Sequence, residues 1–161
     1  MECGRWSEDW VRRRGGTDCP FCAEARPDEN AYGARVAAGA YSDAYLQRRA
    51  TLPGYTIVVW RGRHLLDFTD LSDDEARGYW SDVVRVARAL VREFRPLHLN
   101  HTTLGNMIPH LHTNVVLRYM EDPAPEADLP LSGGVEMPEA EFHRHVDALR
   151  AALRSRVPQS S

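Results

Sequence analysis

PHLHTNVVLRY, residues Pro109 to Tyr119, sets two histidines one residue apart in a run of β-forming residues and then offers Asn114 where a third would keep step. Side chains alternate along a strand, so His110, His112 and Asn114 share one face while Leu111, Thr113 and Val115 take the other. An imidazole has an ordinary pKa of about 6.5 and is mostly neutral at pH 7, which suits it to be a nucleophile or a metal ligand. Just upstream, Leu104-Gly105-Asn106 reads as a turn and Leu97 to Thr102 as another strand. Two strands joined by a tight Gly-containing loop predict an antiparallel hairpin. Gly105 and the N–H groups after it would let a phosphate oxygen approach the backbone closely.

Further out, Pro53-Gly54 makes a turn that launches Tyr55 to Trp60, YTIVVW, a buried strand by its β-branched and aromatic content. Short apolar pieces with Gly33 and Gly39 between Asn30 and Ala44 suggest further strands or turns. Ser72 followed three residues later by Glu75, with Asp73 and Asp74 in the first turn, predicts a helix start. Apolar residues at 76, 80, 83, 87, 90 and 94 give one stripe at helical spacing, and Pro96 stops it. After a Pro-rich segment from Asp122, Pro138 opens a last amphipathic helix with Phe142, Val146, Leu149 and Leu153. Strands, then a helix, then strands again predict an α+β fold: an antiparallel sheet of about five strands, the Ser72 to Phe94 helix across it, and a C-terminal helix. Residues 1–18, with Arg12, Arg13 and Arg14, read as an N-terminal extension forming a solvated arm. The domain itself is expected over 19–121, and 122–161 form the Pro-rich loop and final helix.

A chain of 161 residues suits one domain with a real core. Hydrophobic content of 43% and charged content of 27% are those of a soluble globular protein. A net charge of −3 gives no electrostatic case for binding nucleic acid. The longest apolar stretch, Tyr55 to Trp60, is far below the roughly 20 residues of a membrane span, and the first residues lack an apolar signal core. The expectation is a cytoplasmic protein without a nucleic-acid or membrane partner.

Of three cysteines, Cys3 is expected to be a free thiol, while Cys19 and Cys22 form a Cys-Pro-Phe-Cys pair. In a reducing compartment that spacing suggests a metal or redox pair before a structural disulfide, with ordinary thiols as the plain alternative. A thioredoxin-like pair would need a preceding strand, which this segment lacks.

These pieces form an ordered series: Cys-Pro-Phe-Cys, PGYTIVV before Arg61-Gly62-Arg63-His64, DFTDLSDDE opening the helix, and LNHTTLGNMIPHLHTNVVLRY. From Cys19 to Tyr119 the chain resembles the histidine triad (HIT) family of nucleotidyl hydrolases and transferases, in its zinc-bearing bacterial branch, with the third histidine replaced by Asn114. The resemblance implies that His112 attacks the α-phosphate of a nucleotide or dinucleoside polyphosphate and forms a covalent nucleotidyl-histidine. A backbone carbonyl, that of His110, would hold its other ring nitrogen. Asn100, Asn106, the Met107 N–H and Asn114 match positions that contact phosphate. Cys19, Cys22, His64 and His110 match the ligands of a structural Zn2+, with all four positions filled by protein. A homodimer is the family's usual state.

Two departures bear on activity. The Asn114 amide can donate a hydrogen bond but cannot carry a proton, so any charge-assisted part of that contact is lost. Gln47 and Arg48 stand where family members often carry an Asp for the ribose hydroxyls. The rival readings are a catalytically weak or inactive nucleotide-binding protein that keeps the structural zinc, and a purely structural interaction protein. His98 and His101 read as structural, His143 and His145 as a poor metal pair two apart on a helix, and Thr113 as a packing residue.

Overall fold

The protein is described by a computed structural model covering residues 4–22, 26–129, 131 and 133–154. Cys3 lies outside the described residues.

The β-branched run at Thr56–Trp60 (β4) sits at the middle of a five-stranded antiparallel sheet. Its companions are Gly33–Ala38 (β1), Ser42–Gln47 (β2), His98–Thr102 (β5) and His112–Arg118 (β6), in the order β1-β2-β4-β6-β5. Register fixes the faces. Thr113 pairs with Val58 and Ala44 with Val58, so these point to one side, where Val115 and Leu117 are also fully buried. His112 pairs with Val59 and Asn114 with Ile57 and Thr102, on the opposite side. Two helices, Asp73–Phe94 (α2) and Glu139–Arg154 (α3), close the first side and contact each other. The α+β architecture read from the sequence is the one observed.

Helix α2 begins as its sequence dictates. Ser72 Oγ accepts from the Glu75 N–H, and the Glu75 carboxylate accepts from the Ser72 N–H, satisfying two otherwise orphan donors. Its buried stripe runs through Tyr79, Val83, Val86 and Leu90. The sequence stripe put Trp80 in place of Tyr79; Trp80 is instead 39% exposed and stacks on Phe68. Tyr79 wins the core position because its hydroxyl finds partners there, the Val58 carbonyl at 3.0 Å and Thr113 Oγ1 at 2.9 Å. In α3 the predicted residues Phe142, Val146, Leu149 and Leu153 are buried.

Three local expectations change. The connection between β5 and β6 is a longer loop, from Thr103 to Leu111, because β6 starts at His112 and not at His110. His110 lies before the ladder, its N–H donating to the Ile108 carbonyl, while Leu111 bridges the Leu65 carbonyl and the Trp60 N–H. The segment expected as a solvated arm has no buried residue in 4–18 but is folded locally, with a helix, Glu8–Arg14 (α1), capped by Ser7. Its Trp10 indole N–H donates to the Gly105 carbonyl at 3.0 Å, tying it to the β5–β6 loop. Finally, Arg49–Ala50 (β3) and Val135–Glu136 (β7) pair as a short second ribbon that no periodicity announced. Among the described residues no helix is long and apolar enough to cross a membrane.

Candidate metal cluster and histidine site

Four side chains from distant parts of the sequence converge beside the start of β6. The ligand-capable atoms of Cys19, Cys22, His64 and His110 all lie within 4.8 Å of one another. His110 Nδ1 is 3.6 Å from Cys19 Sγ and 3.3 Å from Cys22 Sγ, and His64 Nδ1 is 3.2 Å from Cys22 Sγ. A tetrahedral zinc with ordinary bond lengths would set S···N edges at about 3.6 Å, so the donors already stand close to that spacing.

The second nitrogen of each imidazole settles its tautomer. His110 Nε2 lies 3.1 Å from the Trp60 carbonyl and His64 Nε2 3.1 Å from the Arg14 carbonyl. A carbonyl can only accept, so both Nε2 atoms carry the proton and both Nδ1 lone pairs face the sulfurs. Burial pulls the His110 pKa down to about 4, which keeps it neutral. Desolvation and the neighbouring Cys19 sulfur push the Cys22 thiol up to about 11, and a cation between them is what would let both sulfurs ionise. Donor type, number, spacing and tautomer fit a four-coordinate zinc.

His112 stands two residues further along, half-buried on the open face. Its Nδ1 is 2.6 Å from the His110 carbonyl oxygen, so that nitrogen donates and Nε2 keeps its lone pair, with no protein partner among the described residues. Burial also lowers its pKa, favouring the neutral ring. The Phe21 ring meets both His110 and His112 edge-on, at centroid distances of 5.7 and 5.3 Å.

The other expected positions are not equivalent. Asn106 and Met107 are exposed in the loop above β6, Met107 at 79%. Asn114, by contrast, is 3% exposed. Its Oδ1 accepts from the Tyr55 hydroxyl at 2.7 Å and its Nδ2 donates to the Thr102 carbonyl at 3.1 Å. Asn100 shares the open face through its pairing with Val116, yet its Oδ1 accepts from Arg118. Arg118 in turn holds Asp122 and the carbonyls of Ala124 and Ala127, pinning the Pro-rich loop there. Asn100 therefore lines a cavity of ≈ 610 Å³ under that loop whose walls do not include His112. Thr113 packs toward the core as expected, with Thr103 Oγ1 also within 3.1 Å.

Sequence reasoning missed several participants. In the sequence Tyr55 signals only a strand, and Phe21 carries no signal of its own inside the Cys pair. Arg26 donates to Asp43, which is fully buried, and to the same Trp60 carbonyl that receives His110 Nε2. An Asp in a strand two positions from Tyr41 carried no signal of that role. Trp10 had one available clue, a second tryptophan four residues after Trp6 at helical spacing; the two rings stack at 4.3 Å.

Comparison with known proteins identifies the family of the chain. The HIT domain profile matches residues 30–121, more than half of the chain, and the chain belongs to the HIT domain family. Cys19 and Cys22 precede the matched span. Protein hit of Bacillus subtilis strain 168 is 27% identical over 107 residues, covering 63% of this chain and 72% of that protein. A Zn-bound histidine triad family protein from Mycobacterium smegmatis is similar with a TM-score of 0.61 and 26% identity, covering 84% of this chain and 93% of that one. A histidine triad protein from Bradyrhizobium japonicum shares the fold, with a TM-score of 0.68, 23% identity, and 75% and 90% coverage.

Proposed function

We propose that the protein is a nucleotide phosphate hydrolase or nucleotidyl transferase acting at the α-phosphate through His112. The observation that carries the reading is the 2.6 Å contact from His112 Nδ1 to the His110 carbonyl. It commits one nitrogen to donation and leaves the other as the free nucleophilic lone pair. In the attack a P–N bond forms at His112 Nε2 and the bond from the α-phosphorus to the leaving oxygen breaks, the leaving group departing with that electron pair. Water or another acceptor then attacks the same phosphorus, its proton passes to solvent, and the histidine is released. Asn106 and the Met107 N–H, both from exposed residues of the β5–β6 loop, are the donors proposed for the α-phosphate oxygens. Asn100, in the neighbouring cavity, is proposed to contact phosphate beyond the α-phosphorus through its amide N–H group, its oxygen being taken by Arg118. Cys19, Cys22, His64 and His110 would hold a zinc whose part would be structural, cross-linking the N-terminal segment to the start of β6. A homodimer completes the proposal and is tested by sedimentation.

One observation favours a second reading. Asn114 is buried and bonded to Tyr55 and Thr102, so no ionisable group stands two residues beyond His112 to assist the leaving oxygen. The alternative is a nucleotide-binding protein with weak or no turnover. Incubation with a dinucleoside polyphosphate or nucleoside phosphoramidate, read by intact mass, separates them. A nucleotidyl adduct or product in wild type, absent in His112→Ala, supports the enzyme; tight nucleotide binding with neither adduct nor product overturns it. Asn114→His in the same panel is expected to raise turnover.

A further inference from the structure

A separate cleft opens at the other edge of the sheet, between β1, the end of α3 and the middle of α2, with β2 and β4 lying between it and the His112 strand. Its volume is ≈ 280 Å³, its floor includes Val36, and its charged walls come from Asp28, Arg35, Arg85, Arg150 and Arg154. Asp28 and Arg35 cancel each other as an ion pair. Three guanidiniums remain. Arg85 approaches Asp82 only at 3.5 Å, and Arg150 and Arg154 have no carboxylate partner among the described residues. This is an unusual concentration of positive charge in a chain whose net charge is −3.

Each of the three is held in place by main-chain acceptors. Arg85 Nη1 donates to the Leu153 carbonyl, Arg154 Nε to Arg150, and Arg150 Nε and Nη2 to Arg35 and Asp28. Capping the end of α3 explains part of this arrangement, but a helix terminus offers only about half a negative charge against three cations. Nη1 of Arg150 and both Nη atoms of Arg154 donate to no protein group among the described residues. The strand contributes too: β1 is bulged between Arg35 and Ala37, and a bulge re-aims the backbone of an edge strand. Arg154 thus keeps a pair of terminal nitrogens that a phosphate group can bridge, and Arg150, fixed by its carbonyl partners, adds one further donor beside it.

We infer that this cleft binds a small phosphate-class polyanion, independently of the His112 site. Such a ligand could be free pyrophosphate or the phosphate chain of a nucleotide. Calorimetric titration of the full chain at low salt with pyrophosphate and, separately, with ADP tests it. Because a nucleotide can also occupy the His112 site, the ligand whose affinity depends on the cleft arginines identifies the source. The expected result is that its affinity is kept in His112→Ala and falls at least about tenfold in Arg150→Gln/Arg154→Gln. Arg154→Gln alone, at the exposed last residue of α3, should give a smaller loss without threatening the fold. Binding unchanged in both arginine variants, loss of binding in His112→Ala, or no saturable binding by either ligand would each overturn the inference. Because the readout is binding and His112 is only a control, absence of turnover at His112 leaves the result unaffected.

Discussion

The Tyr55 hydroxyl donates to Asn114 Oδ1 at 2.7 Å, joining the residue before β4 to the position where the family's third histidine would stand. Tyr55 is 8% exposed, and burial pushes its pKa up to about 12, so it stays a donor at any ordinary pH. Tyr55→Phe leaves the Asn114 oxygen buried without this donor and should cost about 1–3 kcal/mol. Urea unfolding of the two proteins measures it. An unchanged midpoint would mean that the amide has re-paired elsewhere.

The proposed zinc at Cys19, Cys22, His64 and His110 makes a direct claim on composition and stability. Purified protein should hold one zinc per chain by elemental analysis, and stripping it with a strong chelator should lower Tm by at least about 5 °C. Cys22→Ser should lower zinc affinity while retaining the fold. Metal-free protein with an unaltered Tm under chelation would remove zinc from the account.

Trp10 ties α1 to the loop that carries Asn106 and Met107. Trp10→Phe preserves a ring against Trp6 but loses the N–H donated to the Gly105 carbonyl, at a cost of about 1 kcal/mol. Amide hydrogen exchange over 104–108 should accelerate in the variant. Equal exchange in both proteins would show that the loop is held by other contacts.

Gly78 sets helix propensity against packing. In an exposed helix interior Gly→Ala gains about 1 kcal/mol. Here a Cβ on Gly78 would collide with the Tyr41 ring, and overpacking of that kind costs about 1–3 kcal/mol. Gly78→Ala is therefore expected to destabilise by about 1 kcal/mol in thermal unfolding, and a stabilised variant would show that Tyr41 swings aside freely.

What the sequence made legible follows from how local each cause is. The Ser72–Glu75 capping box is a four-residue device and was readable in full. So was the alternation that sets His112 apart from Thr113. The four clustered Cys and His side chains were readable as a candidate metal set only through an ordered series of motifs, because nothing local links Cys19 to His110, 91 residues away. Tyr79 and Trp80 were exchanged because apolar periodicity ranks tryptophan above tyrosine, while the core rewarded a hydroxyl with two partners. The contacts of Trp10, Tyr55 and Arg26 depend on pairings across the fold, each with a single hydrogen-bonding atom, and such pairings leave no periodic trace.

His110 serves its two neighbours with different parts of itself: its ring faces the cysteines and its carbonyl orients His112. Only the ring depends on the residue type. Every amino acid brings the same carbonyl, so exchange at position 110 can dismantle the cluster while the orienting contact persists wherever the backbone holds its course. The donor cluster and the orientation of His112 are thus separable by substitution, even though the two centres share one residue.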